Sequence, residues 1–393
     1  MLNMIAKNSL LIWPKVFYFC FYAAAAALLP FLALHFESLG LTGRQIGFLA
    51  GISPLVSLTG APLWGSVADA SHRHKTILSI AIAGAITLAL VLSQITVFAI
   101  LTLVVAFYSL FTSSIIPLTD NAVMTMLANR KGQYGRQRIW GAVGWGLAAP
   151  LVGYLIEING LHWAFLGYSG IMLIGLLVVQ KISFQQVNAQ VPFWRGARTL
   201  LSNRPWLLFL FLVFAGGAGQ AVIHNFLFLY MNNLGASKTI MGLSLTVATI
   251  SELPIFFFSD KLLARWSAKN LFIFGTVMYV VRAMTLSFIT LPWMVLITQL
   301  FHGLTFSIMW VAGVSYADGI APSGLGATAQ GLLNGVFMGI ATATGAFLGG
   351  VLYQEFGGAI MYRTMAMAVS VSILIFFVAQ RQFNKENMLE AHT

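Results

Sequence analysis

The chain has 393 residues, 59% of them hydrophobic and only 8% charged, with 21 lysines and arginines against 10 aspartates and glutamates. A water-soluble domain needs roughly 25% charged residues to cover its surface, so composition excludes one and makes lipid the solvent. The net charge of +11 does not point to nucleic acid, because the basic residues sit in short clusters between apolar runs and never line one helix face.

A bilayer core about 30 Å thick needs roughly 20 apolar residues per helix. Such runs follow one another from Leu11 to Gln380. The first, Phe17 to Leu34, is too long for a signal segment and no small-residue cleavage site follows it, so it is read as a span. Twelve spans are predicted, at about 11–36, 45–67, 75–95, 97–122, 138–158, 161–181, 206–231, 238–259, 269–289, 292–317, 328–353 and 359–380. This map puts every lysine and arginine on one side except Arg44, Lys238, Arg363 and the mid-span Arg282. The positive-inside rule then places both termini in the cytoplasm.

The longest polar stretch, Ser183 to Arg204, reads as a cytoplasmic linker between residues 1–182 and 205–393. The two parts echo each other. Ser38-Leu39-Gly40-Leu41-Thr42-Gly43-Arg44-Gln45-Ile46-Gly47 recurs as Asn233-Leu234-Gly235-Ala236-Ser237-Lys238-Thr239-Ile240-Met241-Gly242, and Pro62 and Arg73 find counterparts in Pro254 and Arg265. The expected fold is an all-α membrane protein with two six-helix pseudo-repeat bundles that rock around a central site, a transporter architecture.

A charged side chain at bilayer depth costs at least about 2.5–3.5 kcal/mol, so each one needs a partner, an aqueous cavity or a task. Asp120 lies near the inner end of the fourth span and could meet Arg138, at the start of the fifth; Arg138 could equally be an interfacial anchor. Glu252 stands inside the eighth span beside Pro254. Desolvation favours a carboxyl's neutral form, which suits a group that takes up and gives back a proton, although a glutamate capping a proline kink is the alternative. Arg282 and His302 fall at similar depth on the neighbouring ninth and tenth spans. A histidine there is either a proton carrier or a neutral bundle hydrogen bonder. Gln299 can share the face of His302, Gln330 and Asn334 are one turn apart, and so are Gln220 and His224; these line a polar cavity or make interhelical bonds. Trp145, Tyr18, Tyr22 and Trp310 are candidates to stack on a planar solute, or ordinary packing.

The lone Cys20 has no disulfide partner and forms no thiolate metal cluster. Neither metal-ligand spacing of His, Glu and Asp nor a serine nucleophile elbow occurs, so no enzyme, metal or cofactor is expected.

Gly65-Ser66-Val67-Ala68-Asp69, followed by Arg73 and Lys75, resembles the loop between the second and third helices of the major facilitator superfamily, with Ala70 and His72 where that pattern has Arg and Gly. The resemblance implies a conformational latch at Gly65, Asp69 and Arg73. Pro117-Leu118-Thr119-Asp120 and Tyr134-Gly135-Arg136-Gln137-Arg138-Ile139-Trp140-Gly141 look like the proton-linked permease branch that contains the lactose and phenylpropionate permeases. It implies the major facilitator fold, substrate contacts from Asp120 and Arg138, and a stacking surface at Trp145. Arg282 and His302 match the arginine and histidine of that branch's ninth and tenth helices, whereas Thr305 stands where the lactose permease has a glutamate and Gln299 where it has a lysine. Glu252, Gln299 and His302 are similar in context to the phenylpropionate permease, which implies that the coupling carboxylate has moved to Glu252 or that coupling is absent.

The sequence therefore predicts a proton-coupled symporter, monomeric in the inner membrane, that imports a small organic solute. Asp120, Arg138, Trp145, Gln299 and Asn334 are its expected substrate ligands, and Glu252, Arg282 and His302 its proton-handling group. A proton-coupled antiporter exporting drugs or metabolites is the alternative, since Pro150 and Gly153 in the fifth span resemble the glycine-proline signature of such exporters, with Ala149 and Tyr154 where it has glycines.

Overall fold

The computed structural model describes residues 11–127, 133–184, 193–322 and 325–390. Residues 185–192 of the expected linker and the basic Lys7, Arg130 and Lys131 lie outside them. Among the described residues every regular element is a helix, and ten helices are long and apolar enough to cross a membrane. Large apolar side chains stay exposed along them, as at Leu151, Leu177 and Phe257, which is how a surface solvated by lipid differs from one solvated by water.

The chain forms two compact units, Met1–Ala189 with Met231–Thr249 and Gln190–Tyr230 with Ile250–Thr393. In the first, α1 (Ile12–Ser38), α2 (Gly43–Ser71), α3 (His74–Leu92), α4 (Phe98–Thr112), α5 (Ile115–Leu127), α6 (Tyr134–Asn159) and α7 (His162–Val179) follow in order. α4 and α5 make one membrane-length rod interrupted by a turn at 113–114. α1 is the central helix and packs against α6 and α7. The run Ala23 to Ala27 is buried, and its small side chains let neighbouring backbones approach. α6 answers with Gly141 and Gly144: a Cβ at Gly141 would strike the Tyr22 ring and one at Gly144 the Phe19 carbonyl oxygen.

The second unit contains α8 (Phe193–Leu201), α9 (Arg204–Asn233, up to Tyr230), α10 (Lys238–Phe257, from Ile250), α11 (Ser259–Arg265), α12 (Ala268–Leu286), α13 (Met294–Gln299), α14 (Ile308–Ile320), α15 (Gly326–Asn334) and α16 (Thr342–Glu390). Short π-helical segments, Gly303–Ser307 and Gly335–Ala341, join α13 to α14 and α15 to α16. The polar stretch expected as a linker thus contains the nine-residue helix α8, where Gly196 faces Leu325 and Thr328. Gly357, with φ 76° inside α16, breaks the helical path there.

The recurring loop has one geometry at both places. Gly40 and Gly235 both take φ 79°, a left-handed value that suits glycine. Leu41 N donates to Phe36 O at 3.1 Å and Ala236 N to Met231 O at 2.9 Å, closing the helix before each glycine in the same way. Thr42 then caps α2 in a capping box with Gln45, and Ser237 Oγ accepts from Ile240 N at 3.2 Å to start α10.

Candidate functional site

In the first unit the candidate residues meet on α1, α5 and α6. Arg138 Nη1 donates to Asp120 Oδ2 at 2.9 Å and to Tyr134 Oη at 3.0 Å, while Nη2 donates to Tyr22 Oη at 2.7 Å. Tyr18 Oη donates to the other carboxylate oxygen of Asp120 at 2.5 Å. Tyr22 reaches Arg138 because Gly141, three residues further along α6, leaves room for its ring. The ion pair is not sealed: the Arg138 and Asp120 side chains keep 40% and 27% of their exposure. It is a charged, phenol-framed group that a solute carrying hydroxyl, amide or carboxylate groups can address. Tyr18 and Tyr22, read from sequence as stacking surfaces, act here through their hydroxyls. Their i, i+4 spacing on α1 was the available signal. Trp145, two turns beyond Arg138, packs beside the buried Ala23, Ala26, Ala148 and Ala149 with Phe19 and Leu245.

The second unit gathers Glu252, Arg282, Gln299 and His302. His302 Nε2 lies 2.9 Å from Glu252 Oε1, and its Nδ1 lies 2.9 Å from Arg282 Nη1. A guanidinium only donates, so Nδ1 must accept; the ring is then neutral, carries its proton on Nε2 and offers it to the Glu252 carboxylate. Arg282 is fully buried and also donates to Thr305 Oγ1 at 3.2 Å and to Gln299 Oε1. Thr305 accepts from Gln220 Nε2 at 3.3 Å and donates to His302 O at 3.0 Å, so its single hydroxyl is saturated. At the position where the lactose permease has an acid, this hydroxyl braces the arginine, and the carboxylate reaches the histidine from α10 instead.

A glycine makes that approach possible. A Cβ at Gly303 would collide with the Ser251 carbonyl oxygen. With none there, α10 comes into backbone contact, Ser251 Oγ accepts from Gly303 N at 3.0 Å and donates to Gln299 O at 3.2 Å. Ser251 therefore supplies partners for backbone groups where the helix opens into its π segment. Glu252, the next residue, is delivered to His302.

Asn334 sits exposed where the second π segment begins, its Nδ2 donating to Gln330 O at 2.9 Å. Gln299 is turned toward Arg282. His302, Phe306 and Trp310 stack along one helix face, with ring centroids 5.5 Å and 6.4 Å apart and planes within 12°. Trp310 also lines a cavity of about 430 Å³ with Phe256, Leu263, Val314, Asp318 and Gln330. Of the expected latch, Asp69 pairs with His74 Nε2 at 2.8 Å, Gly65 faces open space and Arg73 precedes α3. His72 keeps a left-handed φ of 55° where the superfamily loop has glycine. No group of three or more metal-ligating side chains occurs among the described residues.

The MFS_1 like family model matches residues 11–383. Among curated proteins the chain is similar to a maltose permease of Geobacillus stearothermophilus, 25% identical over 93% of this chain and 94% of the relative. A probable 3-phenylpropionic acid transporter of Escherichia coli (strain K12) is 27% identical over 92% of this chain and 96% of its own. Among solved structures, the nucleoside transporter NupG superposes with a TM-score of 0.84 at 18% identity, covering 94% of this chain and 98% of that one, a likeness of fold.

Proposed function

We propose, since the chain belongs to the MFS_1 like family of the major facilitator superfamily, a multi-pass membrane transporter family and not an enzyme family, that it is a proton-coupled symporter importing a small organic solute by alternating access. Ten helices qualify as spans; adding Ala268–Leu286 and dividing the longest at Gly357 gives twelve, which we assign to six-helix halves at 1–182 and 205–393. We place the monomer in the inner membrane with both termini in the cytoplasm, on the distribution of lysine and arginine.

The observation that carries the coupling is the chain Glu252–His302–Arg282 inside membrane-spanning helices. A proton arriving on this chain has two resting places. On the carboxylate it removes the counter-charge of Arg282. On the imidazole it turns Nδ1 into a donor facing a donor, and the bond to Arg282 breaks. Either way, loading changes the charge balance or the bonding of a buried arginine that braces Gln299 and Thr305, which is how one proton biases the conformation of a helix bundle.

Solute recognition falls to Asp120, Arg138 and Trp145, together with Asn334 and Gln299, the last acting through Arg282. Gly65, Asp69 and Arg73 serve as the latch. The solute class is a sugar, a nucleoside or an aromatic acid, supported by the permeases it resembles and by the combination of aromatic rings with two arginines. A thermal-shift panel of maltose, uridine and 3-phenylpropionate on the purified protein, repeated with Arg138→Lys, tests it. One class should stabilise the parent and fail to stabilise the variant; stabilisation unaffected by the substitution removes Arg138 from the site. Uptake into right-side-out vesicles under an inward proton gradient separates import from export, since an exporter accumulates nothing there.

A further inference from the structure

The guanidinium of Arg282 has a second edge that the proton chain does not use. Its Nη1 and Nη2 atoms serve His302, Thr305 and Gln299, while Nε–H finds no hydrogen-bond partner in the protein. The phenol oxygens of Tyr279 and Tyr362 are also buried without a partner. Arg282 is 1% exposed and both tyrosines 0%. The three belong together: Tyr279 and Tyr362 are within electrostatic reach of the guanidinium and of each other. Tyr279 stands one turn before Arg282 on α12, pinned by Gly219, where any Cβ would strike its ring. Tyr362, from α16, is held edge-on against Tyr230 at 5.3 Å, and the Tyr230 hydroxyl is already committed to Leu286 O and Ile289 O.

A buried polar group is normally bonded, and three orphans around one full charge are a site rather than an accident of packing. All three can donate: one N–H and two rotatable O–H groups. The direct partners of Arg282 are neutral, and Glu252 is separated from it by the imidazole, so the charge lacks an anion in contact. A single water would meet the hydrogen-bond demand but leave that charge as it is. We propose that Arg282 Nε, Tyr279 Oη and Tyr362 Oη form a binding site for a monoatomic anion, a halide, which supplies the arginine with a contact counter-ion. A halide accepts from all three donors and needs no donor of its own in return.

The test uses the purified full-length transporter. Thermal unfolding is measured in sodium chloride, sodium bromide and sodium gluconate at equal ionic strength, for the parent and for Tyr279→Phe and Tyr362→Phe separately. Chloride and bromide should raise the melting temperature by several degrees over gluconate in the parent, and each phenylalanine variant should lose most of that rise. A crystal grown in bromide should show an anomalous peak between the three atoms. Equal melting in all three salts, a rise that survives both substitutions, or a water with no anomalous signal between the three atoms overturns the proposal, and none of these outcomes bears on proton-coupled symport.

Discussion

His302 Nε2 and Glu252 Oε1 stand 2.9 Å apart while the other nitrogen of the same ring meets Arg282, so one imidazole links α10 to α12. Replacing His302 with phenylalanine keeps the stack on Phe306 but removes both bonds. The expected result is a loss of about 1–3 kcal/mol, seen as a lower melting temperature, together with loss of proton-driven uptake. A variant with parental stability and parental uptake would remove His302 from the account.

Gly303 gives a sharper test of how the pair is built. Alanine there pushes against the Ser251 carbonyl, so Gly303→Ala should cost about 1–3 kcal/mol and displace Glu252 from His302. Ser251→Ala removes the hydroxyl that serves Gly303 N and Gln299 O and should cost about 1 kcal/mol. The two variants are compared by melting temperature and by accumulation ratio. Gly303→Ala should fall further on both.

At the first unit's site, Arg138 uses two different nitrogens for Asp120 and Tyr22. A lysine keeps the charge but not that fork, so Arg138→Lys should reduce uptake at least about tenfold, and Tyr22→Phe by a smaller factor of about 3–10. Initial rates at several solute concentrations check this. If Tyr22→Phe is the more damaging, the tyrosine rather than the arginine is the principal contact.

The recurring loop predicts equal responses at two distant places. Gly40 and Gly235 share φ 79°, and a Cβ at either would stand in open space, so alanine there costs only backbone strain, about 1–2 kcal/mol. Unequal losses in melting temperature would show that the loops are not equivalent. Gly65→Ala, in a helix with open space around it, should raise stability by up to about 1 kcal/mol, and a fall in uptake without a fall in melting temperature would support the latch.

Much of this was legible in the sequence because lipid imposes simple rules. Continuous apolar runs marked the helices, and the rarity of charge at bilayer depth singled out Asp120, Glu252 and Arg282. Position along the spans suggested the pairs Asp120–Arg138 and Arg282–His302, and the resemblance supplied roles for them. What stayed hidden was of two kinds. The hydroxyl roles of Tyr18, Tyr22 and Thr305 depend on side chains meeting across helices; the i, i+4 spacing of the two tyrosines put them on one face but did not separate bonding from packing, and Thr305 carried no local signal. Helix irregularity was equally unreadable: the π segment at Gly303–Ser307 and the bond pattern of Ser251 arise from close contact between α10 and the chain after α13, not from any propensity of Gly-Leu-Thr-Phe-Ser. The helix α8 was missed because only nine residues carry it inside a polar stretch.

In the proposed mechanism Glu252 carries the coupled proton. The test solute is whichever of maltose, uridine and 3-phenylpropionate stabilises the parent. Reconstituted in vesicles with an imposed inward proton gradient, Glu252→Gln should bind that solute and exchange it across the membrane at near-parental rates, yet fail to accumulate it above the external concentration. Accumulation against a gradient by Glu252→Gln would contradict the assignment.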